Sequence, residues 1–166
     1  MKASLISALL LASLPSAALA MDDHTVLKPD MIKWGAAPPA LPPGSEVAVI
    51  AGNPESDGPY IVRVRMPANY KVMPHTHPTD ENVTVLSGAM NFAMGATFDA
   101  AKGEAVPAGG FFQAQKGMQH YAWSSEPTVI QIHGMGPFAI NYVNPADDPR
   151  NMAEKPSDAA TTTGSK

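Results

Sequence analysis

Between residues 46 and 143 the chain is built from short apolar or alternating runs cut by Gly, Pro and Asn. They read EVAVIAG, YIVRVRMP, ENVTVLSG, AMNFAMG, GFFQAQ, HYAWSS, TVIQIHG and FAINYV. Several alternate apolar and polar side chains at period two, and β-branched and aromatic residues recur in them, the pattern of half-buried strands. Turn residues arrive every eight to twelve positions or so, the spacing of an all-β sandwich or barrel. No helix-period segment of useful length interrupts them.

The flanks read differently. Residues 1–20, MKASLISALLLASLPSAALA, join Lys2 to a short apolar run and end in Ala18-Leu19-Ala20. This is the form of a secretory signal peptide, and the apolar run is too short to span a bilayer. Secretion, and a periplasmic destination, are therefore expected, with no membrane association after cleavage. Residues 21–45 are proline-rich, which excludes long helices and interior strands. They are expected to form an extended arm anchored by Trp34 on the barrel or on a neighbouring subunit. Residues 46–145 form the single domain, and residues 146–166 lose large apolar side chains and read as a disordered tail.

Composition removes several possibilities. The chain has 166 residues, a net charge of −4 and no cysteine. Thiolate ligands, cysteine nucleophiles and disulfides are excluded, so core packing must hold the domain, helped by a metal or a partner subunit. Lys and Arg are scattered singly, which argues against nucleic acid as a partner. An Asn82-Val83-Thr84 sequon lies inside a strand, in a chain whose leader looks bacterial, so glycosylation is not expected.

The chemistry concentrates in MPHTHPTDENVTVLSGAM. Only five histidines occur in the chain, and two of them, His75 and His77, stand one residue apart with Glu81 four residues beyond. On a strand that spacing puts both imidazoles on one face, where they can converge on an ion. Pro78 and Asp80 favour a bend that would return Glu81 beside them. His120, which opens the HYAW strand after Gly117, is the fourth candidate. On local evidence, a pair of solvated loop histidines is the competing reading.

These residues resemble the cupin signature. Its first motif, G-x5-H-x-H-x3,4-E-x6-G, is matched by His75, His77, Glu81 and Gly88, with Asn69 where the first glycine is expected. Its second, G-x5-P-x-G-x2-H-x3-N, is matched at Gly109, Gly117 and His120, with Gln115 and Ser124 replacing the proline and asparagine. The resemblance implies a double-stranded β-helix, a jelly-roll barrel around a central cavity. It also implies a metal site formed by His75, His77, Glu81 and His120, and a homodimer in which the arm makes the contact.

Three imidazoles and a carboxylate suit one divalent transition metal, whether Mn, Fe, Ni, Cu or Zn. The family supports oxidases, dioxygenases, isomerases and lyases, so fold alone does not choose. The expected function is oxidation of a small oxygen-rich or aromatic substrate, with Glu81 taking a substrate proton. The alternatives are a non-catalytic metal- or ligand-binding protein, or a Zn or Ni isomerase or lyase. Gln131 and His133 share one strand face and Ile130 and Ile132 the other. If the polar pair faces the cavity, His133 is a second acid–base candidate. If the isoleucines do, it is solvated. Arg63 and Arg65 pose the same choice between a solvated face and anchors for an anion. Met73 has the parity of His75 and His77, and Met118 nearly adjoins His120, but filling an irregular interior accounts for both better than soft-metal ligation. Tyr121 and Trp123, opposite in parity to His120, are expected to pack outside at a subunit or arm contact.

Overall fold

The computed structural model describes residues 25–152, so the expected signal peptide and the tail beyond 152 lie outside the described residues. Eleven strands form in chain order: β1 (Gly35–Ala36), β2 (Glu46–Ala51), β3 (Gly58–Met66), β4 (Lys71–Thr76), β5 (Glu81–Ser87), β6 (Ala89–Met94), β7 (Glu104–Pro107), β8 (Phe111–Ala114), β9 (His120–Trp123), β10 (Thr128–Gly136) and β11 (Asn141–Tyr142). They pair antiparallel into two sheets, β1-β2-β3-β10-β5-β8 and β11-β4-β9-β6-β7, the double-stranded β-helix that the cupin resemblance implies. No described helix is long and apolar enough to cross a membrane.

Alternation explains where the core sits. In the first sheet, cross-strand rows run Val47–Val64–Ile130–Val85 and Val62–Ile132–Val83–Phe112. These residues share the inner face because directly paired side chains point the same way, and most are buried. The next row is Tyr60–Gly134–Glu81–Ala114, so one carboxylate stands at the end of an otherwise apolar wall.

The arm packs on its own barrel. The loop joining β1 to β2 bridges the edge of the first sheet to the second: Tyr142 Oη donates to the Ala40 carbonyl at 2.8 Å and Tyr70 Oη to that of Pro42 at 2.6 Å. Trp34 lies under the Arg65 guanidinium, 4.6 Å from the ring centre, and Arg65 pairs in turn with Glu46. Trp34 is thus the expected anchor, and the arm's own barrel is its seat.

Two expectations need correction. Residues 146–152, read as the start of a disordered tail, are structured: a turn capped by Asn144 leads into a helical turn, Pro149–Met152, and Arg150 reaches the Ile140 carbonyl at 3.1 Å. Local side-chain caps replace the apolar burial that composition lacks there. Tyr121 and Trp123 do face outward, but the chain's own segment after β6 covers them. Phe98 packs 5.1 and 5.2 Å from their rings, and Tyr121 Oη donates to the Asp99 carbonyl.

Candidate metal centre

β4 and β9 set the histidines. Their pairing passes from Val72–Ala122 to His75–His120, so β4 carries one residue more than β9 across that step. This is a β-bulge, and it resets the alternation. Val72 and His75, three residues apart, both face the cavity. Met73 consequently loses the inward parity that simple alternation gives it.

Each imidazole is fixed from behind. The Nδ1 atoms of His75, His77 and His120 lie 2.8, 2.8 and 3.0 Å from the carbonyls of Met73, Ala139 and Met118. A carbonyl only accepts, so each Nδ1 carries the hydrogen and each Nε2 presents a lone pair. Met73 and Met118 therefore serve the site through backbone oxygen, not sulfur. The three rings sit 4.2–5.1 Å apart by centroid, and Phe138 stacks on His77 at 4.8 Å.

The three histidines can together hold a metal ion: one ring nitrogen from each lies within 4.8 Å of the others, and all three residues are buried. Glu81 Oε2 sits 3.3 Å from His77 Nε2 and 3.5 Å from His120 Nε2. Those separations suit neighbouring donors around one ion with bonds of about 2.1 Å. Both Nε2 atoms are buried without a hydrogen-bond partner. Lone pairs facing a carboxylate in a dry site need a cation or protons between them.

The electrostatics follow. Burial, reinforced by the neighbouring His120 and His77, depresses His75 to about 3. Burial also opposes the charge on His77 and on Glu81. It is outweighed in both cases: the Glu81 carboxylate facing His77 raises it, while His120 and His77 hold Glu81 far below the ordinary carboxylate range.

Asn69, standing at the motif's first glycine, adopts a left-handed φ of 62°, which asparagine tolerates better than most side chains. Ser124, replacing the motif asparagine, is fully buried, and its N–H and hydroxyl bond the Tyr70 and Pro67 carbonyls. A family model described as the ChrR cupin-like domain matches residues 22–139. The chain belongs to this cupin family.

No curated protein matches this cupin. Among solved structures it is similar to the polyketide cyclase RemF from Streptomyces resistomycificus, at 16% identity and TM-score 0.62, covering 80% of this chain and 94% of that one. It is also similar to a putative acetylacetone dioxygenase from Methylibium petroleiphilum PM1, at 19% identity and TM-score 0.58, covering 78% and 88%. A third likeness is to an RmlC-like cupin from Shewanella frigidimarina, at 11% identity and TM-score 0.53, covering 68% and 90%. At these identities the likeness is one of fold.

The remaining candidates lie elsewhere. Ile130 and Ile132 line the cupin's cavity, so Gln131 and His133 face outward. Gln131 accepts from Arg63 Nε at 3.0 Å, and His133 is exposed. The acid–base role considered for His133 is thus corrected: the inner rows of β3 and β5 with which β10 pairs are apolar, and they select the isoleucines. Arg63 and Arg65 share that outer face. Sequence reasoning missed Phe138 against His77, Pro38 and Leu41 of the arm at the cavity wall, and Tyr60 beside Glu81. Of these, Phe138 and Tyr60 carried a visible signal, as the first residues of FAINYV and YIVRVRMP.

Proposed function

We propose that this cupin is a metal-dependent oxidoreductase. His75, His77, His120 and Glu81 hold one divalent transition metal, Mn, Fe, Ni or Cu, and a small organic substrate is oxidised there with dioxygen as the oxidant, which is itself reduced. Such an ion supplies Lewis acidity and access to redox chemistry. The protein's own part is to orient three neutral imidazoles through their Nδ1–H bonds, to exclude water behind apolar walls, and to offer the Glu81 carboxylate as acceptor for a substrate proton. The observation that carries this reading is the pair of buried, unpartnered Nε2 atoms opposite the Glu81 carboxylate. The fold does not choose the reaction, since its neighbours are described both as a cyclase and as a dioxygenase. We also propose export to the periplasm, supported by the leader-like residues 1–20.

The test is dissolved-oxygen uptake by protein loaded separately with each metal, against a panel of small ketones, enols and phenols. Substrate-dependent uptake in the wild type and none in His75→Ala is expected. Conversion with Zn and no oxygen uptake would replace oxidation by hydrolysis or isomerisation, and bound metal without any turnover would make this a binding protein. In Glu81→Gln, turnover should fall much further than metal content. Equal losses would remove the proton-accepting role.

A further inference from the structure

Resting on the metal-centre reading above, we infer the substrate class: a small molecule with one oxygen-bearing end for the metal and an uncharged hydrocarbon remainder, close to the size of a five- or six-membered ring. The cavity beside the histidines has a volume of about 110 Å³. Protein interiors seldom leave a void larger than a water molecule, so this space is more than imperfect packing. An apolar cavity of about 150 Å³ accepts benzene, so the part of a guest lodged inside this one is of that size or a little below.

Chemistry narrows the class further. Beyond His75, His77, Glu81 and His120, every lining side chain is hydrocarbon or thioether, among them Val64, Val83, Ile130, Met66, Met90 and Phe112. A second carboxylate or a sugar hydroxyl in that space would lose its water and gain no donor or acceptor. The cations that could have met an anion are turned away: Arg63 bonds Gln131 and Arg65 bonds Glu46 on the outer face. The oxygen-rich end of the substrate range expected from the sequence is therefore disfavoured, and small carbonyl or phenolic compounds remain.

Methionine-methyl NMR tests this without any turnover, because Met66 and Met90 line the cavity while Met31 and Met135 are exposed. Cyclopentanone, malonate (a dianion of similar size) and 1-naphthol (about twice the size) are titrated into metal-free and zinc-loaded protein. Cyclopentanone should shift Met66 and Met90 and leave Met31 and Met135 in place. Malonate should leave all four unmoved in metal-free protein and bind at least tenfold more weakly than cyclopentanone in the loaded one. 1-Naphthol should enter only after Phe112→Ala opens the half-buried wall, and Ala122→Leu should abolish the cyclopentanone shifts. Malonate binding as tightly as cyclopentanone, or 1-naphthol entering the wild type, would overturn the inference. So would cyclopentanone failing to shift Met66 and Met90 in both forms. Cyclopentanone shifts in a protein that takes up no metal would sink the catalytic reading and leave the cavity assignment standing.

Discussion

Tyr60 and Tyr70 allow one oxygen atom to be deleted twice, with opposite consequences. Both side chains are buried, 1% and 4% exposed. Burial raises both phenols, Tyr70 to about 12, so neither ionises in an ordinary assay. Tyr70 Oη donates to the Pro42 carbonyl at 2.6 Å and stands 2.8 Å from Ser45 Oγ. Because the carbonyl can only accept, the Ser45 hydroxyl donates to Tyr70. Tyr70→Phe therefore removes two hydrogen bonds, at about 1 kcal/mol each, and leaves buried partners short, a loss of about 2 kcal/mol. Tyr60 Oη is also buried but has no partner. Its ring lies across Gly134, where a Cβ would come within 3.2 Å of the hydroxyl and 2.8 Å of the Asp80 carbonyl. Tyr60→Phe removes an unpaired buried hydroxyl and should add about 1 kcal/mol in metal-free protein. At about 4 °C per kcal/mol for a domain of this size, the midpoints should move by about −8 °C and +4 °C. Calorimetry and urea titration of both variants provide the comparison. A destabilised Tyr60→Phe, or an unchanged Tyr70→Phe, would refute the hydrogen-bond assignments behind both the seating of the arm and the row beside Glu81.

Protonation gives a further expectation. His75 has a folded value near 3 against an ordinary 6.5, so below about pH 6.5 the unfolded chain binds a proton that the folded one declines. Metal-free protein should lose stability as pH falls from 6.5 towards 3, and His75→Gln should flatten that slope in chemical denaturation across the range. His77 acts in the opposite sense: burial lowers it, but Glu81 outweighs burial and raises it. Its contribution is complete below the ordinary value and fades as pH rises through the raised one, so His77→Gln should lose most stability on the acidic side. His133→Ala, at an exposed outer position, should leave metal content unchanged and stability within about 0.5 kcal/mol of wild type. A large loss of metal there would return His133 to the site.

Much of the barrel is legible in the chain because alternation is a local property. The apolar rows through Val64, Ile130, Val62 and Ile132 follow from period two once the sheet is assumed. The convergence of His75, His77 and His120 is legible from the cupin motifs, as is the return of Glu81 to a place beside His77 and His120. The failures are non-local. Nothing in TVIQIHG says which face meets the cavity, because that depends on the partners of β10 in β3 and β5. The bulge that turns Met73 out arises from a mismatch between β4 and β9, which neither strand shows alone. The covering of Tyr121 and Trp123 by Phe98, and the seating of the arm through Tyr70 and Tyr142, join residues tens of positions apart. Residues 146–152 escaped because caps and one arginine contact, not apolar pattern, order them.

The most direct test of the metal centre is elemental analysis of purified protein, after reconstitution with Mn, Fe, Ni, Cu and Zn in turn, beside a His75→Ala/His77→Ala variant. The account predicts one ion per wild-type chain, lost in the variant, with a higher thermal midpoint in the loaded wild type because the ion binds only the folded site. Wild-type protein that takes up none of these metals, or a double variant that keeps its full complement, would contradict it.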